Sequence, residues 1–242
     1  MSKDLITFNY YSSYTSKRRV YESFKLIFKS AFFQEFEFEK FKWKYLDHYS
    51  KNSIIQEIKV NNKTAGYRGL WKVSFYPSIY QCVDTCIHPS YQRIGLFQKS
   101  NKELIKEFKS FYNYPNPKSK AGYLKSGWLE IGKMNIYLNK ISYFEYSDWS
   151  KEFLHWRFVK HPYIKYFKIR LKKGGFAVVR FKKGLPVHVE SVKHDLDLKE
   201  LPTTRLILKY SIYNSGLKIK SAGGVVSYKF NGLIRSSYFD MI

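Results

Sequence analysis

The chain has 242 residues, of which 44% are hydrophobic, so it is long and apolar enough for one large domain or two small ones. Its 43 lysines and arginines outnumber 19 acidic residues, which gives a formal net charge of +24. The composition excludes an intrinsically disordered chain, and no apolar run reaches the roughly 18–20 residues that a membrane span needs. The charge favours polyanionic partners, such as nucleotides, anionic membranes or nucleic acid.

Two features of the sequence indicate the cellular compartment of the protein. The N-terminal residues lack the charged-then-apolar order of a signal peptide, so we expect a cytoplasmic protein. Cys82 and Cys86 lie on a predicted strand, where four positions span about 13 Å, too far for a disulfide. We therefore expect two reduced thiols in the core.

Apolar residues recur at helical spacing in three segments and form strand-like runs in three others. The predicted helices cover residues 19–33, 36–45 and 96–111, and the predicted strands cover residues 54–60, 64–73 and 81–87. Asn61 and Asn62 mark a turn between the first two strands. A loop at 89–95 precedes the last helix, and a turn-rich stretch at 112–121 follows it. This order indicates a mixed α/β layer fold.

The chain contains an internal repeat. Residues 41–48, FKWKYLDH, recur as residues 154–161, LHWRFVKH, with tryptophan, base, aromatic and histidine at one constant offset. Each copy precedes a predicted strand pair, and the second pair covers 176–182 and 185–192. Both chance recurrence and a duplicated α/β unit are consistent with this pattern.

A duplication predicts a boundary near residues 143–149, with a first domain over 1–145 and a second, partial unit over 146–242. The aromatic and basic side chains of the repeat either stack on a nucleotide or form the core face of an amphipathic helix, and their spacing favours the core. His48 and His161 are then structural. The basic run that begins at Lys168 and Arg170 either faces substrate or protects a solvated strand edge; we favour the edge.

One segment carries the chemistry. In residues 83–97, VDTCIHPSYQRIGLF, a strand ends at Ile87, Pro89 interrupts it, and a tight loop leads into a helix. Such a loop directs backbone N–H groups and the positive end of the helix dipole toward one point, where phosphate binds. Gly95 permits close approach of a ligand to the backbone.

This loop resembles the phosphate-binding motif of the GCN5-related N-acetyltransferase (GNAT) family, Gln/Arg-x-x-Gly-x-Gly/Ala, with a phenylalanine in the last place. A second family pattern has Asn, then Tyr seven positions later, then Gly four positions after that, followed by an aromatic residue. It is matched by Asn116, Tyr123, Gly127 and Trp128. The resemblance covers about residues 19–143. It implies an α/β (α+β) fold with a mixed, mostly antiparallel sheet flanked by helices, followed by a second, partial GNAT-like unit.

The resemblance also implies acetyl-CoA as the cofactor and requires no metal. The implied cofactor-binding residues are Ile87, Gln92, Arg93, Ile94, Gly95, Leu96, Phe97 and Asn116, although Asn116 is equally suited to cap a helix. The backbone after Ile87, where the strand is expected to splay, would polarise the thioester. Tyr123 would protonate the departing thiolate.

The general base is left open by the sequence. Asp84 and His88, which strand alternation places on one face, are the candidates, and Glu57 is a weaker one. The implied reaction is direct transfer of acetyl to a primary amine.

The acceptor and the alternative functions rest on other features. Residues 156–162, WRFVKHP, resemble the branch of the family associated with surface-polysaccharide synthesis, which implies an amino sugar, in one form nucleotide-linked, as the acceptor. Two alternatives remain open. The charge and the many aromatic residues also suit a nucleic-acid-binding or RNA-modifying protein, and a GNAT fold could serve as a non-catalytic interaction module.

Overall fold

The computed structural model describes residues 4–72, 79–108, 110–140, 146–147, 149–202, 206–211 and 217–229. The chain divides into two compact units. Unit 1 contains Met1–Glu130 and Val226–Asn231, and unit 2 contains Ile131–Val225 and Gly232–Ile242. The division after Glu130 precedes the predicted boundary, part of which lies outside the described residues.

Before residue 129, the described part of unit 1 contains five strands and five α-helices. The strands are β1 (Ile6–Tyr11), β2 (Ile54–Val60), β3 (Lys63–Lys72), β4 (Ile79–Ile87) and β5 (Ser110–Asn113). The helices are α1 (Tyr14–Arg19), α2 (Tyr21–Phe32), α3 (Phe38–Phe41), α4 (Leu96–Glu107) and α5 (Pro117–Lys125). A π-helix, Lys42–Leu46, continues α3.

The strand order in unit 1 is β1-β2-β3-β4-β5, and Val226–Tyr228 pairs antiparallel with β5. Only β4 and β5 are parallel among these described pairs. Asn61 and Asn62 both have positive φ in the β2–β3 turn, as the Asn-Asn signal predicts. The expected mixed, mostly antiparallel sheet with flanking helices is therefore confirmed.

The sheet of unit 1 is covered by aromatic side chains. On α2, Phe24, Ile27 and Phe28 are buried, at the spacing of one helix face. Tyr45 packs directly over Gly69: a Cβ atom there would stand 2.2 Å from the Tyr45 hydroxyl oxygen. The tight packing of this ring on β3 therefore requires a glycine.

Unit 2 begins within β6 (Leu129–Lys140) and repeats the local pattern of unit 1. Its helix α6 (Lys151–Leu154) continues as a π-helix, His155–Val159. Its other strands are β7 (Phe167–Arg170), β8 (Phe176–Lys182), β9 (Leu185–Val192), β10 (Leu206–Ser211) and β11 (Leu217–Tyr228), the last of which ends in unit 1. The order is β6-β10-β9-β8-β7, and β9 and β10 are parallel.

The two units share more than the sequence repeat. Each has a short helix that continues as a π-helix, then two antiparallel strand pairs, one parallel pair and a final antiparallel strand. Unit 2 has no helix in residues 193–202, after β9, at the place where unit 1 has α4. The units thus share a local pattern but differ after the third strand of that pattern, and the duplication stays a prediction.

Several local predictions need correction. The helix predicted over 96–111 ends at Glu107, because β5 begins at Ser110. The stretch 112–121 is not all turn: Asn116 caps α5 and Pro117 is its first residue. The helix predicted over 36–45 is a short α-helix followed by a π-helix, and Val73 lies outside the described residues.

Three other expectations can be compared with the structure. Cys82 and Cys86 are free and buried, as predicted. Lys168 and Arg170 lie on β7, the outermost strand of unit 2, where they pair with Asp195 and Glu200. Within the described part of the chain, no helix is both long and apolar enough to cross a membrane.

Candidate functional site

The pairing between β4 and β5 in unit 1 covers only the first part of β4. The parallel pairing ends at Gln81 and Tyr112, whereas β4 continues to Ile87 paired with β3 alone. The splay that we predicted after Ile87 stays a prediction; the pairing with β5 ends six residues earlier along β4, at Gln81. The reason is the short β5, which ends at Asn113. On the edge of β4 that faces β5, the backbone N–H and C=O groups after Gln81 are therefore not part of the β4–β5 ladder.

A β-bulge lies in the same part of β4. The register with β3 shifts between Tyr67 and Gly69, and Asp84 has a left-handed φ of 48°. The bulge turns neighbouring side chains in opposite directions, so that Asp84 contacts the π-helix of unit 1 and Thr85 contacts Arg68. Bulges of this kind often re-aim side chains next to binding sites.

The loop after β4 is held by its own polar groups. His88 Nδ1 accepts a hydrogen bond from the Ser90 amide (3.3 Å) at the start of the 3₁₀ turn Pro89–Tyr91. Gln92 Nε2 donates to the Ile87 carbonyl (2.9 Å), which ties the loop back to the strand end. Gln92 therefore shapes the loop through its side chain.

The loop ends in two residues with positive φ, Arg93 at 67° and Gly95 at 80°. Gly95 is the N-cap of α4, and no side chain caps that helix. Ile94 is 46% exposed, whereas the Leu96 side chain is buried in the core, so Leu96 could offer a ligand only its backbone. A Cβ atom on Gly95 would meet only Gln98 Oε1, at 3.9 Å.

These features fit a phosphate group. The first-turn amides of a helix lack intrahelical acceptors, and the helix dipole favours an anion there. The first turn of α4 contains no acidic residue, and the space over Gly95 is open. The loop is therefore chemically suited to hold a pyrophosphate.

Phe97 lies between the two helices rather than in the loop. Its ring would stand 2.6 Å from a Cβ atom on Gly122, and it packs edge-on against Tyr123 at 4.9 Å between centroids. The phenylalanine that departs from the family motif is thus accommodated by a glycine on α5.

Tyr123 is buried on α5, with 1% of its surface exposed. Asn113 Nδ2 donates a hydrogen bond to its hydroxyl oxygen (2.8 Å). The orientation of that amide is fixed, because Asn113 Oδ1 accepts from the Tyr114 backbone amide (2.8 Å). The last residue of β5 therefore presents a donor to Tyr123.

The surroundings keep the phenol of Tyr123 protonated. Burial raises its pKa above the ordinary value of 10.0, and the neighbouring Cys82 adds to this. Arg68 and hydrogen bonds from Thr85 and Asn113 lower the pKa, but they offset only part of the rise. A phenol that keeps its proton at neutral pH is suited to act as a general acid.

Asn116 performs the capping role. Its side chain accepts from the Ser119 amide (2.9 Å) at the start of α5, and it is exposed. Of the two roles that the sequence allowed, the structure shows the helix cap.

The candidate bases differ in their surroundings. Both carboxylate oxygens of Asp84 contact Lys44 Nζ at 2.8 Å, and one accepts from the Tyr45 hydroxyl (2.7 Å). In neutral His88, the bond from Ser90 to Nδ1 places the ring proton on Nε2. Asp84 is therefore paired with a cation, and the Nδ1 lone pair of His88 is occupied by its loop contact.

Both carboxylate oxygens of Glu57 already accept hydrogen bonds. It accepts from Asn9 (3.1 Å), Tyr11 (2.7 Å), Thr64 (2.7 Å) and Tyr67 (3.3 Å). Burial raises its pKa, but the hydrogen bonds from Thr64, Tyr11 and Asn9 outweigh it, and the net pKa lies below the ordinary value. Its role in this arrangement is structural.

Sequence reasoning missed Arg68, Thr85 and Asn113. Arg68 has no exposed surface and lies 6.0 Å from the Tyr123 ring centroid and 5.1 Å from that of Phe97. The available signal was an arginine in the middle of an apolar strand, because charged residues are almost never fully buried without a reason.

The tryptophans do not form an exposed stacking surface. All five tryptophans of the chain are buried, with at most 5% of their surface exposed. Trp43 and Trp156, from the two copies of the repeat, are among them, as the core interpretation predicts. The nucleic-acid alternative therefore depends on charge rather than on tryptophan stacking.

Comparison with known proteins gives a likeness of structure only. No protein-family model matches the sequence, and no curated protein matches it. A conserved Enterococcus faecalis protein described as a probable N-acyltransferase is 10% identical, with a TM-score of 0.56 over 92% of this chain and 72% of that chain. A GCN5-related N-acetyltransferase from Kribbella flavida is 8% identical, with a TM-score of 0.52 over 92% of this chain and 71% of that one.

A third solved structure, a proposed acetyltransferase from Pyrococcus horikoshii, is 11% identical, with a TM-score of 0.54 over 93% of this chain and 90% of that chain. The chain has the GNAT fold. At these identities the likeness extends to the fold alone, so a functional conclusion has to rest on the site.

Proposed function

We propose that the protein is an acetyl-CoA-dependent N-acetyltransferase that acts on a primary amine. The observation that supports this proposal is the course of β4. Its pairing with β5 ends at Gln81, and the chain then continues through the loop to Gly95, at the start of α4, where no side chain caps the helix. A splayed strand suits a pantetheine chain, and the loop suits a pyrophosphate.

Each part of the site has a task in this reaction. Backbone amides of the loop and of the first turn of α4 would hold the pyrophosphate, and Gly95 keeps that space open. Unpaired backbone N–H groups of β4 would polarise a carbonyl, as an oxyanion hole does. Bound acetyl-CoA supplies an acetyl group activated as a thioester. Tyr123 holds a proton at its hydroxyl and offers it to the leaving group.

The proton of the amine needs a separate route. Asp84 is ion-paired and His88 keeps its Nδ1 on the Ser90 amide. Both stay candidates, and a water relay to bulk solvent satisfies the same need without breaking either contact. The amino-sugar acceptor and the association with polysaccharide synthesis stay predictions, supported by the sequence resemblance at 156–162.

A thermal-shift experiment tests the proposal. A ligand that binds only the folded state at about 100 times its Kd adds roughly 2.7 kcal/mol, which raises the Tm by about 2–4 °C for a chain of this size. We expect this rise with acetyl-CoA. Gly95→Asp should abolish it, because the carboxylate would stand in the phosphate position, whereas Gly95→Asn should weaken it less.

The chain provides a matched control. Gly184, in the β8–β9 turn, also has positive φ (76°), and no heavy atom lies within 4 Å of a Cβ there. Gly184→Asp should therefore bring the same backbone strain and charge but leave the acetyl-CoA shift intact. No shift in the wild-type chain at millimolar acetyl-CoA would contradict the proposal and favour salt-dependent nucleic-acid binding. A shift without turnover on any amine would indicate an interaction module.

A further inference from the structure

Arg68 lies opposite the β-bulge of β4. The β3–β4 register passes from the pair Tyr67–Cys86 to the pair Gly69–Val83, so Arg68 has no ladder partner across the bulge. Its side chain points to the side of the sheet where α4 and α5 lie, because it contacts Asn101 on α4 and the ring of Tyr123 on α5. The bulge thus brings a cation under the proposed general acid.

The hydrogen bonds of this cluster have a fixed direction. Arginine can only donate, so its Nε–H makes Thr85 Oγ1 an acceptor (3.1 Å). The single hydroxyl hydrogen of Thr85 is then free to point elsewhere, and Thr85 is close enough to the Tyr123 phenol to lower its pKa. Asn113 donates to the same phenol oxygen from the other side. Because Asn113 donates and the free hydrogen of Thr85 can point at the phenol, the Tyr123 proton is left for a sulfur atom: the Cys82 thiol in the resting chain, or the thiolate of a bound ligand.

Hydrogen bonds hold Arg68 in place, although burial of its charge is unfavourable for folding. Its Nη1 donates to Asn101 Oδ1 (2.6 Å), and Asn101 in turn donates to Ser126 Oγ (3.2 Å) after α5. No hydrogen-bond partner is found for its Nη2 within the described part of the chain, and no acidic residue pairs with it there. A buried cation with an unused donor destabilises a fold, so packing alone does not account for an arginine here.

We propose that Arg68 is a positioning residue for the acetyl transfer, which acts through Thr85 to fix Tyr123 as the proton donor to the CoA sulfur. The inference rests on the proposed function and adds the residue that sets the direction of the Tyr123 proton. In the step, the Tyr123 O–H bond breaks and an S–H bond forms on the leaving thiolate. The phenolate that results is stabilised by Thr85, Asn113 and the Arg68 charge until a solvent proton restores it.

The test compares binding of CoA and desulfo-CoA by calorimetry, at a pH above the pKa of the CoA thiol. The two ligands differ only at the sulfur, so the ratio of their Kd values measures the sulfur contact without any acceptor. A hydrogen bond to a charged group changes affinity about tenfold or more. We therefore expect the wild-type chain to bind CoA about tenfold more tightly than desulfo-CoA. Tyr123→Phe should remove this preference.

The variants that decide the inference are Arg68→Met and Thr85→Val. Each should reduce the ratio toward that of Tyr123→Phe and leave the Kd of desulfo-CoA unchanged, and neither should reduce it further when combined with Tyr123→Phe. Thr85→Val keeps Arg68 and its packing, so it stays informative if Arg68→Met unfolds. Tyr21→Phe, which removes the hydroxyl of a buried tyrosine that donates to the Phe36 carbonyl, is the control and should change nothing.

The outcomes distinguish a failure of the proposed function from a failure of the role of Arg68. If neither ligand binds the wild-type chain, the proposed function fails, and the inference fails with it. If both bind and Tyr123→Phe removes the preference, but Arg68→Met and Thr85→Val keep it, the function stands and the positioning role of Arg68 is overturned. A preference that survives Tyr123→Phe overturns the inference as well.

Discussion

Lys44 contacts both carboxylate oxygens of Asp84 at 2.8 Å, and the two side chains are only 4% and 13% exposed. The pair joins the π-helix of unit 1 to the bulge of β4. Because Asp84 has a left-handed backbone there, its carboxylate is directed at the helix and away from Thr85. The pair therefore anchors the part of β4 that the proposed reaction uses.

Removing one partner of this pair should destabilise the fold strongly. Lys44→Met leaves a nearly buried carboxylate uncompensated, and we expect a loss of about 3–5 kcal/mol in the free energy of unfolding. The double variant Lys44→Met/Asp84→Asn should recover part of the loss. Urea unfolding measures both. Lys106→Met, which breaks the exposed ion pair with Glu103, is the control, and an equal loss there would contradict the explanation.

The contact between Phe97 and Gly122 makes a second prediction. Replacing glycine by alanine inside a helix usually stabilises by about 1 kcal/mol. At Gly122 the new Cβ would stand 2.6 Å from the Phe97 ring, so we expect Gly122→Ala to lower the Tm instead. Phe97→Leu in the same chain should restore it, because the smaller side chain leaves room. A rise in Tm for Gly122→Ala alone would show that the ring moves aside freely.

The sequence predicted the elements that have strong local signals. Strand β2 and the strands β8 and β9 have the predicted bounds, and α4 begins at Leu96 as expected. Alternating or apolar runs, an Asn-Asn turn and a glycine N-cap are all local features. The loop to Gly95 could be placed for the same reason.

Non-local features were not predictable in this way. The bulge at Asp84 depends on the pairing of β4 with β3, and the end of the β4–β5 pairing depends on where β5 ends. Asp84 could not be seen to be ion-paired, since its partner Lys44 lies on a helix that is distant in sequence. Arg68 was missed because only the folded β3 places it beside Thr85. The cap at Asn116 was one of its two predicted roles, but residues 112–121 were still interpreted as turns, although Asn116 followed by Pro117 is a typical helix start.

Two buried histidines should make stability depend on pH. Burial lowers the pKa of His48 and of His188 from 6.5 to about 3 in the folded protein. The unfolded chain then binds more protons below pH 6.5, so this stabilisation is complete above 6.5 and is lost as pH falls. Each histidine contributes a slope of up to about 1.4 kcal/mol per pH unit.

Urea unfolding between pH 6.5 and 5 measures this slope above the range where carboxylates titrate. His48→Gln and His188→Gln should each flatten the dependence, whatever their effect on stability at neutral pH. His161→Gln is the control, since His161 is only partly buried. Equal slopes in all four chains would contradict the assignment to buried histidines.

A difference between the two units predicts the number of cofactor sites. Unit 1 follows β4 with a loop, a glycine at positive φ and the twelve-residue helix α4. Unit 2 follows β9 with residues 193–202, which contain neither a glycine nor a helix. Without a helix start there is no set of free amides or helix dipole to hold a pyrophosphate. We therefore expect calorimetry to give one acetyl-CoA per chain, and Gly95→Asp to remove that one site entirely. A stoichiometry of two, or residual binding in Gly95→Asp with unchanged affinity, would show that the second unit has kept a site of its own.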